Sequence, residues 1–159
     1  MQVLLLYIGR GRKFNMLSDS KNDLFHLLGV LESIGKIQKY TIDIKTPEEF
    51  IDANDQMIYN ASLTLLANIG ESIGKLSSYS SQYLKNLEIN AIRGMRNRIV
   101  HDYSGLDSYV VYKVTKNDLN TIKDKIDDLI KKSIKDGMFD IEEYELAKES
   151  SYYKHVNFN

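Results

Sequence analysis

Apolar residues recur along most of this chain at intervals of three and four, the spacing that gathers them on one side of a helix. A first helix is expected to begin after Ser18 or Asp19, either a good N-cap, and to bury Leu24, Leu27, Leu28, Leu31, Ile34 and Ile37. His26 falls off that stripe and reads as a surface or interface histidine ahead of a catalytic one. Thr46-Pro47-Glu48-Glu49 combines a capping hydroxyl, a proline at the first helical position and an acid that can complete a capping box, so a short helix to about Ala53 is expected. A second long helix follows from Gln56 to roughly Leu76, with Ile58, Leu65, Leu66, Ile69 and Ile73 inward. Ser77-Ser78-Tyr79-Ser80-Ser81 reads as a polar linker, and a third long helix runs from about Gln82 to Val100 or His101 on Leu84, Leu87, Ile92, Met95 and Ile99.

Leu106 to Val114 predicts a short helix or turn, and Thr115-Lys116-Asn117-Asp118 a fresh helix start. The last main helix buries Leu119, Ile122, Ile126, Leu129 and Ile130 and ends near Gly137. Beyond it, Asp140 to Lys148 is expected to be helical, and Ser150 to His155 reads as a tail in which His155 is a solvated bystander. At the other end, Val3 to Ile8 is an apolar run of six residues followed by Arg10, Arg12 and Lys13. That run is too short for a bilayer span, and its charges fall on the wrong side for a signal peptide. It reads as a strand or frayed tail, with a partner-binding segment as the other reading. The pattern as a whole predicts an all-α protein in one domain, cytoplasmic and without a membrane span.

Composition narrows the chemistry. With no cysteine among 159 residues, disulfides and thiolate metal sites are excluded. Lys and Arg number 21 against 22 Asp and Glu, so any affinity for nucleic acid must come from a local patch. From Lys85 to Tyr103 there are four basic side chains (Lys85, Arg93, Arg96, Arg98) and two acidic ones (Glu88, Asp102), which predicts weak, salt-sensitive RNA binding. Gly9-Arg10-Gly11-Arg12-Lys13 lacks the spacing of a phosphate loop, and Asp102 and Asp107 beside His101 are too few carboxylates for a two-metal site.

Inside that patch lies Arg96-Asn97-Arg98-Ile99-Val100-His101-Asp102-Tyr103, at the point where a helix gives way to Ser104-Gly105. Arginine is a rigid, always-charged fork suited to phosphate, and histidine is the side chain whose ordinary pKa suits proton transfer near neutrality. On a continuous helix Arg96 and His101 stand ~7.5 Å apart along the axis and about 140° apart around it. They share no face, yet both can reach one phosphate-sized site. The same groups also have an unremarkable reading, as a histidine at a helix C-terminus, arginines on a solvated face and a core tyrosine.

The spacing Arg96-x4-His101-x-Tyr103 resembles the R-x4-H-x-Y motif of HEPN domains, and in particular the HepT-like toxins encoded beside MNT nucleotidyltransferase antitoxins. The flanks agree: Ala91 to Met95 leads into the motif, Ser104-Gly105-Leu106-Asp107 leaves it, and Ile69-Gly70-Glu71-Ser72 is similar to the family's I-G-E-(A/S) segment. The resemblance runs from about Asp19 to Lys135. It implies a HEPN-type antiparallel bundle of four to five main helices over residues 16–137, with 1–15 and 138–159 as extensions.

The resemblance further implies a metal-independent endoribonuclease toxin of a type VII system, working without a cofactor as a homodimer whose interface joins two motifs. Arg96 would steady the phosphate and His101 would move protons, with Asn97 and Tyr103 in support. Glu71 is either a surface partner of an arginine or a group that orients Arg96 or His101. A cognate MNT-type nucleotidyltransferase would neutralise the toxin by placing AMP on Tyr103; this chain lacks such an enzyme's own signature, so that partner is separate. The alternative from another class is a non-catalytic binding module that serves the nucleotidyltransferase.

Overall fold

The structure is a computed structural model that describes residues 19–87, 89–102 and 105–158. Three long helices carry the hydrophobic core. Helix α1 (Asp19–Tyr40) turns Leu24, Leu27, Leu28, Leu31, Ile34 and Ile37 inward, all buried as their spacing requires. It packs against α3 (Met57–Gly74) on one side and α7 (Leu119–Lys135) on the other. Leu63, Leu66, Ile69 and Ile73 come from α3, and Leu119, Ile122, Ile126, Leu129 and Ile130 from α7. Burying each such aliphatic side chain contributes about 1.5–3 kcal/mol, so this three-helix seam is the main source of stability. The fold is all-α, with no strand among the described residues. No helix among the described residues is long and apolar enough to cross a membrane.

The connections show where local chemistry acts. Helix α2 (Pro47–Asp52) starts as its sequence predicts: Thr46 Oγ1 accepts from the Glu49 amide at 3.1 Å. The Glu49 carboxylate reaches one residue further back than a capping box requires, to the Lys45 amide at 2.7 Å. Asn54, Asp55 and Gln56 then turn the chain with three successive positive φ angles, a left-handed stretch that costs such residues roughly 1–2 kcal/mol each.

Three expectations fail between α3 and α7. The serine-rich stretch is a helix, α4 (Ser78–Tyr83), and no linker. Its start is clamped to α1 by the wholly buried Asp23, whose carboxylate accepts from the Ser77 amide at 2.8 Å and from the hydroxyls of Ser77 and Ser80, each at 2.5 Å. The chain turns again at Leu84 to Leu87, so the expected third helix is split and its remaining part is α5 (Ile89–His101). Further on, Thr115 to Asp118 starts no new helix. Helix α6 (Ser108–Lys113), capped by Asp107, passes into α7 through a π-helical turn (Val114–Asp118), in which Thr115 is buried and donates its hydroxyl to the Tyr112 carbonyl at 2.7 Å. A side-chain bond to an earlier carbonyl lets the backbone continue where a cap would have broken it.

After α7 the chain turns at Gly137, whose φ of 71° suits glycine, and Phe139 inserts into the core. Asp140 caps α8 (Ile141–Glu149) through the Glu142 amide at 2.8 Å. The segment after α8 is not a loose tail. His155, expected to be solvated, donates its backbone N–H to buried Glu32 at 2.8 Å and sets its ring Nδ1 2.6 Å from the other carboxylate oxygen. Gly35 of α1 makes room for that docking, since a Cβ there would collide with the His155 backbone.

Candidate functional site

Helix α5 is the thinly covered part of the molecule. It leans on α3, and none of the residues from Asn90 to His101 is fully buried. Its partly buried Ile92, Met95 and Ile99 suffice to hold it, while Arg93, Arg98 and His101 stay in solvent. Between Ile89 and His101 the helix carries three arginines and a histidine and no acid.

Gly70 sets how closely α5 lies on α3. A Cβ on Gly70 would sit 2.5 Å from the Cβ of Arg96, so the glycine allows the two backbones to meet at the arginine. Arg96 then extends along α3, with Nη2 2.8 Å from Glu71 Oε2, and donates Nη1–H to Asn97 Oδ1 at 3.0 Å. Glu71 also meets Lys75 at 3.2 Å, one turn along α3. The Lys75 hydrogen bond, and then the charge of Arg96, hold the Glu71 carboxyl below the usual carboxylate range. Arg93 completes the cluster by donating to the Gly74 carbonyl at 3.0 Å, which satisfies an end carbonyl of α3. Lys75 escaped the motif reading, and Arg93 and Gly70 stood in it only as members of the basic patch and of the glycine-containing segment, without their contacts. Only the Ile69-Gly70-Glu71-Ser72 segment pointed toward α3.

Arg96, Asn97 and Glu71 therefore meet in one cluster. His101 is exposed near the C-terminal end of α5 and makes no hydrogen bond or ion pair among the described residues. Within one chain nothing described joins it to Arg96, consistent with their positions about 140° apart around the helix. Tyr103, the remaining motif residue, lies outside the described residues, as do residues 1–15 and Glu88. His26 stands on the other flank of the cluster. Partial burial, and then the charge of Lys75, lower its pKa against the pull of Asp23. Among the described residues no group of three His, Asp or Glu side chains could hold a metal ion.

An open, largely apolar cleft runs beside the motif helix. Two adjoining hollows of about 390 and 400 Å³ share Ala91, Met95 and Val114; Leu87 and Arg98 belong to the α5 side, Val110 and Ile122 to the far wall. Val110 in that wall is half-exposed.

The family profile described as Ribonuclease HepT-like matches residues 30–129. A Methanocaldococcus jannaschii protein named as a candidate RNase is 31% identical over 109 residues, covering 68% of this chain and 97% of the relative. A second candidate RNase of that organism is 29% identical over 105 residues, 66% of this chain and 84% of its own. A Thermococcus cleftensis protein named a probable ribonuclease HepT is 26% identical over 106 residues, 67% of this chain and 94% of its own. No solved structure matches at comparable significance.

Proposed function

The chain belongs to the HepT-like ribonuclease family, and on that premise we propose that it is a metal-independent endoribonuclease toxin of a type VII toxin–antitoxin system. The observation that carries the reading is the acid-free run of three arginines and His101 on α5, together with an Arg96 whose partner Glu71 is itself in solvent. An exposed ion pair is readily exchanged, so an RNA phosphate can take the Arg96 fork from Glu71. Arg96 then steadies the charge that builds on the five-coordinate phosphorus as the ribose 2′-oxygen attacks and the 5′-oxygen leaves. His101 moves a proton at one of those oxygens, and Asn97 keeps the guanidinium in place. Positive charge comes from arginine, which is why the scheme needs no metal.

Arg96 and His101 do not meet within a chain. That gap closes if two copies pair with their motifs together, so that Arg96 of one faces His101 of the other, in the commonest oligomeric symmetry. The half-covered α5, with Ala91 and Gly94 beside an apolar cleft, supports that surface as the contact. The neutralising partner in this reading is a separate nucleotidyltransferase that adenylylates Tyr103. An anionic group two residues from His101 would repel the RNA phosphate.

A mixing experiment tests the composite site. Arg96→Ala and His101→Ala homodimers should each be inactive on labelled RNA, whereas unfolding and refolding them together should restore cleavage in the hybrid. The hybrid keeps one site in which an intact arginine faces an intact histidine from the other copy. If the mixture stays inactive while wild type cuts, the sharing of a site between copies is wrong. If wild type cuts no RNA, the protein is a binding module. Intact-mass measurement after co-expression with a nucleotidyltransferase encoded beside it checks Tyr103. A neutralised complex with an unmodified Tyr103 would remove that step.

A further inference from the structure

The Arg96 cluster does not stop at α3. Glu71 joins Arg96 to Lys75, and the first turns of α1 lie against the same helix end, because Asp23 holds the Ser77 amide at 2.8 Å. Two positions along α1 from Asp23 is Phe25, whose ring is 62% exposed although phenylalanine is among the most apolar side chains. Its one aromatic contact is edge-on to His26, centroids 5.5 Å apart, and His26 feels the charge of Lys75. Helix α1 thus presents a wet aromatic ring edge-on to an imidazole, the imidazole neighbours Lys75, and Glu71 joins Lys75 to Arg96. Of the acids that touch this cluster among the described residues, Asp23 is buried and spent on two serines, and Glu71 is exposed.

A bare ring next to a row of phosphate-binding cations is the arrangement with which proteins hold single-stranded nucleic acid, backbone on the cations and base on the ring. We propose that Phe25, His26 and Lys75 form a binding subsite for single-stranded RNA that extends the Arg96 site onto α1. Lys75 takes the phosphate next to the one held by Arg96, and the base beyond it stacks on Phe25. His26, kept largely neutral by burial and by Lys75, offers a ring nitrogen to the base edge or ribose hydroxyl and adds no charge. The proposal rests on the ribonuclease reading and adds where the strand runs: across α3 toward α1, away from the cleft beside α6.

The test uses the full-length protein with His101→Ala, which keeps RNA uncut, and a fluorescein-labelled single-stranded oligoribonucleotide followed by anisotropy. Adding Phe25→Ala is expected to weaken binding on the order of tenfold, and Phe25→Trp to retain it. Lys75→Gln should weaken binding and lower the salt dependence by about one phosphate contact, a change of ~0.7 in the log–log slope. Unchanged affinity in Phe25→Ala overturns the subsite. So does a Phe25→Ala whose sedimentation shows loss of self-association, because the ring is then a protein contact. If the His101→Ala parent binds no RNA at all, the ribonuclease reading itself falls and takes the subsite with it. Parent binding with an indifferent Phe25 removes the subsite alone.

Discussion

Two places in this molecule are built alike and do opposite work. In each, a glutamate of a long helix is bridged to a lysine one turn later and to a nitrogen-bearing side chain brought in from elsewhere, with a glycine beside it that permits the approach. Around Glu32 these are Lys36 at 3.4 Å, His155 at 2.6 Å and Gly35. Around Glu71 they are Lys75 at 3.2 Å, Arg96 at 2.8 Å and Gly70. The difference is water. The Glu32 side chain is 3% exposed and its partner 12%, whereas Glu71 is 45% exposed and Arg96 33%. A buried carboxylate that loses such a partner is stranded away from water, so the contact pins the C-terminal segment to α1. A pair standing in water exchanges partners at little cost, so it can present a guanidinium to an incoming phosphate.

Substitutions in the two clusters should differ in kind and in size. Arg96→Ala should lower RNA cleavage by about 10²–10³ and His101→Ala by about 10²–10⁴, measured on labelled RNA, while the urea midpoint stays near that of wild type. A collapse in stability with Arg96→Ala would erase the distinction between the two clusters. His155→Ala should show the reverse, a loss of about 1–3 kcal/mol in urea unfolding because buried Glu32 loses the ring contact and keeps only the residue-155 amide and Lys36. Gly35→Ala should cost about 1–3 kcal/mol through the displaced His155 backbone, read from the same curves.

The smallest effect belongs to Glu71→Gln. Its carboxyl titrates lower in the fold than in the unfolded chain, so its contribution is complete above the unfolded value of about 4.3 and fades as pH falls through the folded one. Stability at pH 7 should barely move. Acid unfolding below pH ~4.3 should become less steep, and RNA should bind somewhat more tightly with Arg96 released. Weaker RNA binding would show that Glu71 positions the guanidinium and does not compete for it.

The parts of the fold that could be read in advance were those written in short intervals. The stripes of α1 and α7, the Thr46-Pro47 helix start and the stop at Gly137 each depend on residues within a turn or two of one another, and all appear as expected. The reading went astray where a distant group intervened. Ser77 to Ser81 looked like a linker because nothing nearby reveals that Asp23, more than fifty residues away, would accept their hydrogens. Thr115 looked like a cap because its hydroxyl could serve either a new helix or the carbonyl of Tyr112, and packing chose the latter.

The candidate site divides in the same manner. Arg96, Asn97 and His101 could be named from one helical octad, since residue type and spacing state what chemistry is on offer. That Glu71 would join Lys75 to the guanidinium, that Arg93 would reach the end of α3, and that His155 would be locked away while His101 stays in water depended on how the helices stack. Periodicity and capping are local energies and leave their mark in neighbouring residues. Burial and long-range pairing arise only when distant segments exclude water together, and that exclusion sealed Glu32 against His155 and left Glu71 in solvent beside Arg96.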